Sequence, residues 1–177
     1  MRMVVIAFLI SCAPALAQQP YAGLETRAIK TLSEQQIADL NAGRCMGLAL
    51  AAELNGYPGP MHAIELADRL GLSPEQLARL RALFDAMKAE TIPIGARLIA
   101  QERSLNADFV QRTVTPASLE ATTRAIGATQ AALRAAHLKY HLSTTAILSA
   151  EQVRRYNELR GYARAGAPAH PHQHMHK

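Results

Sequence analysis

The chain has 177 residues and a formal net charge of +5, and 49% of its residues are hydrophobic although it contains no tryptophan. This length suits one domain. The arginines are interspersed with acidic residues rather than massed, so we expect no nucleic-acid partner. The sequence also contains no glycine-rich phosphate loop and no nucleophile elbow, and we therefore expect no enzymatic activity.

The N-terminus has the pattern of a secretory signal. An apolar run from Met3 to Ile10 is far shorter than the roughly 20 residues of a membrane-spanning helix, and the small-residue sequence Ala15-Leu16-Ala17 follows it. This pattern predicts that residues 1–17 are a signal peptide and that the mature protein is exported. An alternative stays open, because Leu9-Ile10-Ser11-Cys12 also fits a lipoprotein signal with a lipidated cysteine.

Cys45 is the only cysteine that remains after cleavage behind Ala17, which excludes a disulfide within the chain. Three roles are open to it: pairing with another chain, binding a metal ion, or filling space as a small buried hydrophobic residue. The neighbouring residues are rich in Ala and Leu and predict a helix, in which the last of these roles is the commonest.

Four short phrases predict helix starts. In the phrase Leu-Ser-x-x-Gln followed by an apolar residue, the Ser is an N-cap, the Gln completes a capping box, and the apolar residues form a hydrophobic staple. One of the four has Thr as the cap, Pro at the first helical position and Ser in place of Gln. The phrases are Leu32-Ser33-Gln36-Ile37, Leu72-Ser73-Gln76-Leu77, Leu148-Ser149-Gln152-Val153 and Val114-Thr115-Pro116 with Ser118 and Leu119.

Apolar spacing and stop residues predict an all-α chain. The two longest helices, joined by a short turn, predict an antiparallel hairpin with short flanking helices, and the apolar face of so thin a hairpin predicts a homodimer. We expect an N-terminal helix and Pro/Gly loop in 18–60, the hairpin domain in 61–165 and a disordered tail in 166–177. The predicted helices cover Glu34 to Leu54, Met61 to Leu70, about 35 residues from Pro74, Pro116 to about Ile147, and Ala150 to about Tyr162.

Two of the helix-start phrases carry a resemblance to a known family. Leu72-Ser73-Pro74-Glu75-Gln76 and Leu148-Ser149-Ala150-Glu151-Gln152 resemble the hallmark of the Spy/CpxP periplasmic proteins, a Leu-Thr-x-x-Gln phrase used twice at helix starts of an all-α hairpin. Ser replaces Thr in both copies. The resemblance implies a cradle-shaped homodimer in the bacterial periplasm, with Leu72, Ser73, Gln76, Leu148, Ser149 and Gln152 as family-motif residues.

Members of that family divide into ATP-independent holding chaperones, envelope-stress regulators, and heavy-metal binders or sensors. We predict a holding chaperone that shields unfolded envelope proteins and responds to metal, with no required cofactor. A Zn, Cu or Ni binding or sensing protein is the alternative, and an adaptor that docks on a membrane sensor protein is a third. An apolar stripe bordered by arginines predicts client-binding residues Arg79, Arg81, Phe84, Met87, Arg97, Leu98 and Arg134.

The sequence "HLKYH" predicts a metal site. His137 and His141 lie one helical turn apart, so both imidazoles project from one face and could chelate Zn²⁺, Cu²⁺ or Ni²⁺. The metal sensors of the resembled family use a similar pair on a later helix together with a histidine from an N-terminal element. In this chain the resemblance implies His62 for that histidine, with Met61 and Glu65 nearby. A buried structural role for His137 beside the core stripe stays open.

The C-terminal tail offers a second, flexible set of metal ligands. Histidines alternate with other residues and are accompanied by Met175, a soft-leaning set that predicts capture of Cu or Zn. A solvated tail with adventitious affinity is the alternative. The histidines of this set are His170, His172, His174 and His176.

Overall fold

The computed structural model describes residues 21–162. The signal peptide predicted for 1–17 and the predicted histidine tail lie outside this range. Within it the chain is all-helical, which confirms the predicted fold class, and no helix in these residues is both long and apolar enough to cross a membrane. After one short 3-10 turn, Leu24–Thr26, the helices are α1 Glu34–Asn41, α2 Leu50–Glu53, α3 Pro60–Glu65, α4 Ala67–Leu70, α5 Pro74–Gln111, α6 Pro116–Ile147 and α7 Ala150–Leu159.

The four predicted helix starts are all confirmed. Each cap side chain accepts a hydrogen bond from the backbone N–H three residues on, and the residue at that position bonds back to the cap N–H. The start of α6 closes its box with Ser118, whose hydroxyl replaces the glutamine amide of the other three. A reciprocal cap satisfies two N–H groups that a helix end otherwise leaves open.

The predicted hairpin is formed by α5 and α6, which pack against each other along their lengths. Residues 112–115 connect them, and this short turn makes the helices antiparallel. Their inner faces share a core with the segment before α1 and with α1 itself. That core contains Ile29, Leu40, Leu98, Ile99, Ile126 and Leu133. The homodimer stays a prediction.

The predicted first helix, Glu34 to Leu54, is wrong in its middle. α1 ends at Asn41, and a turn precedes α2, because Gly43, Met46 and Gly47 all adopt positive φ angles, of 66°, 47° and 82°. A Cβ on Gly43 would lie 2.8 Å from the Thr91 hydroxyl, so this turn also packs directly on α5. The break places Cys45 in a turn rather than in a helix.

The two family-motif glutamines bond to each other across the fold. Gln76 of α5 donates to Oε1 of Gln152 (2.9 Å), and Gln152 of α7 donates to Oε1 of Gln76 (3.0 Å). Each glutamine also closes its own capping box. In addition, the Gln76 amide donates to the carbonyl of Ile147, and the Gln152 amide donates to the carbonyl of Gly71. We call these two residues the glutamine clamp. It fixes the start of α7 on the start of α5.

Candidate metal centre

His137 and His141 occupy the buried face of α6, as their spacing predicts. They are 1% and 7% exposed. Both line a partly open cavity of about 590 Å³ that is formed by the α1–α2 turn, α3, α5, α6 and the residues after α7. Its outer lining, Met46, Leu50 and Met61, is exposed to solvent, whereas the two histidines lie at its buried side.

The loop before α3 holds His141 in one orientation. Its Nδ1 lies 2.7 Å from the carbonyl oxygen of Tyr57. Because a carbonyl only accepts hydrogen bonds, Nδ1 is the donor in this contact, and Nε2 is the ring atom left to bind a metal ion. A Cβ on Gly59 would lie 2.9 Å from Cε1 and 3.0 Å from Nε2 of this ring, so glycine is what lets the loop approach it. Backbone contacts of this kind orient metal-binding histidines.

His137 is buried, and one of its ring nitrogens has no hydrogen-bond partner among residues 21–162. This nitrogen, Nε2, is inaccessible to solvent. Burial, and after it the charge of His141, lowers the pKa of His137 below its ordinary 6.5. The ring is therefore neutral at pH 7, which is the form that binds a metal ion.

Glu53 of α2 adds a buried carboxylate to the lining, which also contains the charged residues Asp39, Arg44, Lys88 and Arg160. The Tyr156 hydroxyl donates to Glu53 Oε1 (2.6 Å), and Arg160 Nε lies 3.4 Å from the same oxygen. Glu53 Oε2 is buried with no hydrogen-bond partner among the described residues and lies 3.7 Å from His141 Nδ1. Burial, followed by the bond to Glu53, raises the pKa of Tyr156, so this phenol stays a donor.

His62 of α3 lines the same cavity, as does Met61. The His62 Nδ1 lies 2.7 Å from Glu65 Oε2, and the ring is partly exposed. The fold thus brings the three predicted histidines to one cavity. It does not bring them to one point, because no three His, Cys, Asp or Glu side chains of residues 21–162 stand close enough together to hold one ion.

Cys45 also lines this cavity, with Met46 beside it and Met87 from α5. The thiol is half-buried and accepts a hydrogen bond from the Ala49 N–H (3.2 Å). Burial raises its pKa, so the thiol is protonated at neutral pH.

The predicted client-binding residues divide by burial. The arginines are exposed, Phe84 is half-buried, and Met87 and Leu98 are buried, the latter in the hairpin core. Their role stays a prediction. The exposed arginines are Arg79, Arg81, Arg97 and Arg134.

Sequence reasoning missed Glu53, Tyr57 and Gly59. The Asn-Gly and Pro-Gly pairs predicted a turn here. No sequence pattern predicted that Tyr57 of this turn contacts His141, 84 positions later on α6. The tail histidines, His170 to His176, fall outside the described residues.

These features define a class: a helical-hairpin protein whose cavity offers imidazole, carboxylate and sulfur donors, a set suited to heavy-metal ions. The chain belongs to the heavy-metal resistance family, whose model matches residues 40–155. That family is one of the Spy/CpxP-like helical proteins. No significant match is found among curated proteins or among solved structures.

Proposed function

We propose that this protein binds a heavy-metal ion through His137 and His141 as part of heavy-metal resistance in the periplasm. The observation that carries the proposal is the buried Nε2 of His137, which has no hydrogen-bond partner among residues 21–162. A buried polar atom without a partner costs about 1–3 kcal/mol. A metal ion bound at the cavity side of the ring would remove that cost.

The partner imidazole supports the same role. His141 has Nε2 left to bind a metal ion because Nδ1 is committed to the Tyr57 carbonyl. Two imidazoles at i and i+4 are a ligand pair suited to Zn²⁺, Cu²⁺ or Ni²⁺. Glu53 and His62 line the same cavity and are the side chains from which a further ligand would come.

The test measures Zn²⁺, Ni²⁺ and Cu²⁺ affinity by competition with a chromogenic chelator. In the protein used for this test the four tail histidines are replaced by Ala, so that the tail does not contribute to the measured affinity. We expect one tight ion per chain, and a loss of affinity of about tenfold or more in His137→Gln and in His141→Gln, because each removes one of two chelating ligands.

Arg134→Gln is the matched control. This exposed residue lies on the same helix three positions before His137, and its replacement should leave the affinity unchanged. A wild-type cavity that binds none of the three ions, or equal affinity in all variants, would refute the assignment to the pair.

A holding chaperone of the Spy/CpxP type is the second candidate function. One observation favours it: the hairpin end carries large apolar side chains in solvent, with Phe109 55% and Val110 67% exposed and Leu119 beside the turn on α6. An exposed apolar group of this kind is a contact surface for other chains.

Suppression of aggregation of a chemically unfolded client tests this function. Protection in the presence of a chelator, reduced by Phe109→Ser but not by Tyr21→Ser at another exposed aromatic residue, would support a metal-independent chaperone. Protection only with added Zn²⁺ or Cu²⁺ would show that metal binding activates the chaperone. The absence of protection in both conditions would refute the chaperone function.

A further inference from the structure

Sulfur is concentrated at one place in this fold. Residues 21–162 contain one cysteine and three methionines, and all four, Cys45, Met46, Met61 and Met87, line the cavity that also holds His137. They come from the α1–α2 turn, from α3 and from α5, so tertiary packing and not local sequence brings them together.

The turn that carries two of these residues is conformationally costly. Met46 adopts φ 47°, a left-handed conformation that is uncommon for a residue with a side chain and costs of the order of 1 kcal/mol. Met46 is also 39% exposed, so burial of its side chain in a core does not offset this conformational cost.

The cavity shows a separate sign that it takes a ligand. His137 is 1% exposed, and its Nε2 has no hydrogen-bond partner within residues 21–162. A buried imidazole nitrogen without a partner calls for an explanation, and a ligand in the cavity supplies one. Thiolate and thioether sulfur are the ligands that soft cations prefer, with imidazole as a further donor.

We infer that Cys45 binds a thiophilic cation in this cavity, with Met46 and Met61 as thioether ligands, so that the site selects soft ions such as Cu⁺ or Ag⁺ over Zn²⁺. The inference rests on the proposed function, whose metal class it narrows. In the binding step the S–H bond of Cys45 breaks, a sulfur–metal bond forms, and the proton passes to solvent. No electron is transferred, and no other reactant is consumed.

Soft monovalent ions also suit the types of donor atom that line the cavity. Zn²⁺ in a structural site takes a tetrahedral set of four ligands, whereas no three His, Cys, Asp or Glu side chains among residues 21–162 stand close enough to share an ion. A soft cation needs fewer ligands and accepts methionine sulfur, which the cavity supplies from three residues.

The test follows alkylation of Cys45 in the full chain with Cys12→Ser, so that the readout comes from one thiol. Ag⁺ is the probe because it does not change oxidation state. We expect one equivalent of Ag⁺ to protect the thiol in the presence of excess glutathione, since a metal-bound thiolate is unavailable as a nucleophile. Stoichiometric Zn²⁺ should protect it at least about tenfold less well.

Met46→Leu with Met61→Leu conserves side-chain volume and removes the thioethers. We expect this variant to lose protection in glutathione by about tenfold or more. Protection equal in the Met46/Met61 variant and the wild type would show a lone reactive thiol and overturn the inference.

The same samples separate the two proposals. Zn²⁺ or Ni²⁺ binding that depends on His137, with no glutathione-resistant Ag⁺ protection, would overturn the sulfur site alone. Ag⁺ protection without any His137-dependent binding of Zn²⁺, Ni²⁺ or Cu²⁺ would refute the histidine assignment and leave a sulfur-only site.

Discussion

The glutamine clamp and the histidine cavity are two polar clusters with opposite hydrogen-bond states. In the clamp, the amide groups of Gln76 and Gln152 are fully bonded, to each other, to the capping residues and to two carbonyls. In the cavity, Nε2 of His137 and Oε2 of Glu53 are buried without hydrogen-bond partners among the described residues. Both clusters join elements that are distant in sequence.

The difference indicates what each cluster does. A closed network of bonds rigidifies a fold and has no capacity left for a ligand. An open one lowers stability and is retained where the free atoms have another use. The comparison therefore supports a structural role for the clamp and the metal binding that we propose for the cavity.

The largest expected effect lies in the clamp. Gln76→Ala removes the two bonds to the Gln152 amide and those to the Ile147 carbonyl and the Ser73 N–H. We therefore expect a loss of about 2–3 kcal/mol in the free energy of unfolding. Urea denaturation of the metal-free protein measures it. Metal affinity of the refolded native state should be unchanged.

Gln36→Ala is the matched control for this substitution. Gln36 closes the box of Ser33 in the same way but is exposed and bonds to no other helix. We expect it to cost below about 1 kcal/mol. Equal losses in the two variants would show that the clamp adds nothing to capping.

The clamp also marks how far sequence reasoning extends. The repeated phrase predicted both helix starts, because capping depends on residues three positions apart. It did not predict that Gln76 and Gln152 bond to each other, since one amide can serve a cap and a tertiary contact together and sequence shows only the first. Hairpin and helix caps are local properties, and they were predicted.

The cavity was predicted only where its geometry is local. His137 and His141 share a face because a helix has a fixed period. Cys45 was assigned to a helix, and the positive φ angles of Gly43 and Gly47 place it in a turn instead. Glu53 was not singled out, because its hydrogen-bond partner Tyr156 lies 103 positions later in the sequence.

A smaller effect is expected from Gly59→Ala, which disturbs the open cluster and leaves the clamp intact. The new Cβ would lie 2.9 Å from Cε1 of His141, so the ring or the loop must move, which disturbs the contact with the Tyr57 carbonyl that orients the ring. We expect about tenfold weaker binding of Zn²⁺ or Ni²⁺ at the cavity, the lower end of the effect of losing an orienting contact.

Gly127→Ala provides the comparison for this change. A Cβ at Gly127, in α6, meets no atom within 4 Å, so the variant should bind metal as the wild type does. Its helix should gain up to about 1 kcal/mol. Unchanged metal affinity in Gly59→Ala would mean that the loop does not position His141.

The smallest expected effect is the pH dependence that the open cluster adds to stability. Burial, followed by the charge of His141, lowers the pKa of His137 below 6.5 in the folded protein. The unfolded chain therefore binds more protons below pH 6.5, and the metal-free protein loses stability as the pH falls from that value through the lowered pKa of the folded state.

The variant His137→Gln removes this contribution. Its free energy of unfolding, measured by urea denaturation over a range of pH, should therefore decline less on acidification than that of the wild type. Parallel curves for this variant and the wild type would show that His137 is protonated as easily in the fold as in the unfolded chain. The clamp contains no titratable group, so Gln76→Ala should shift the whole curve downward without changing its slope, and the two clusters are then distinguished by slope as well as by magnitude.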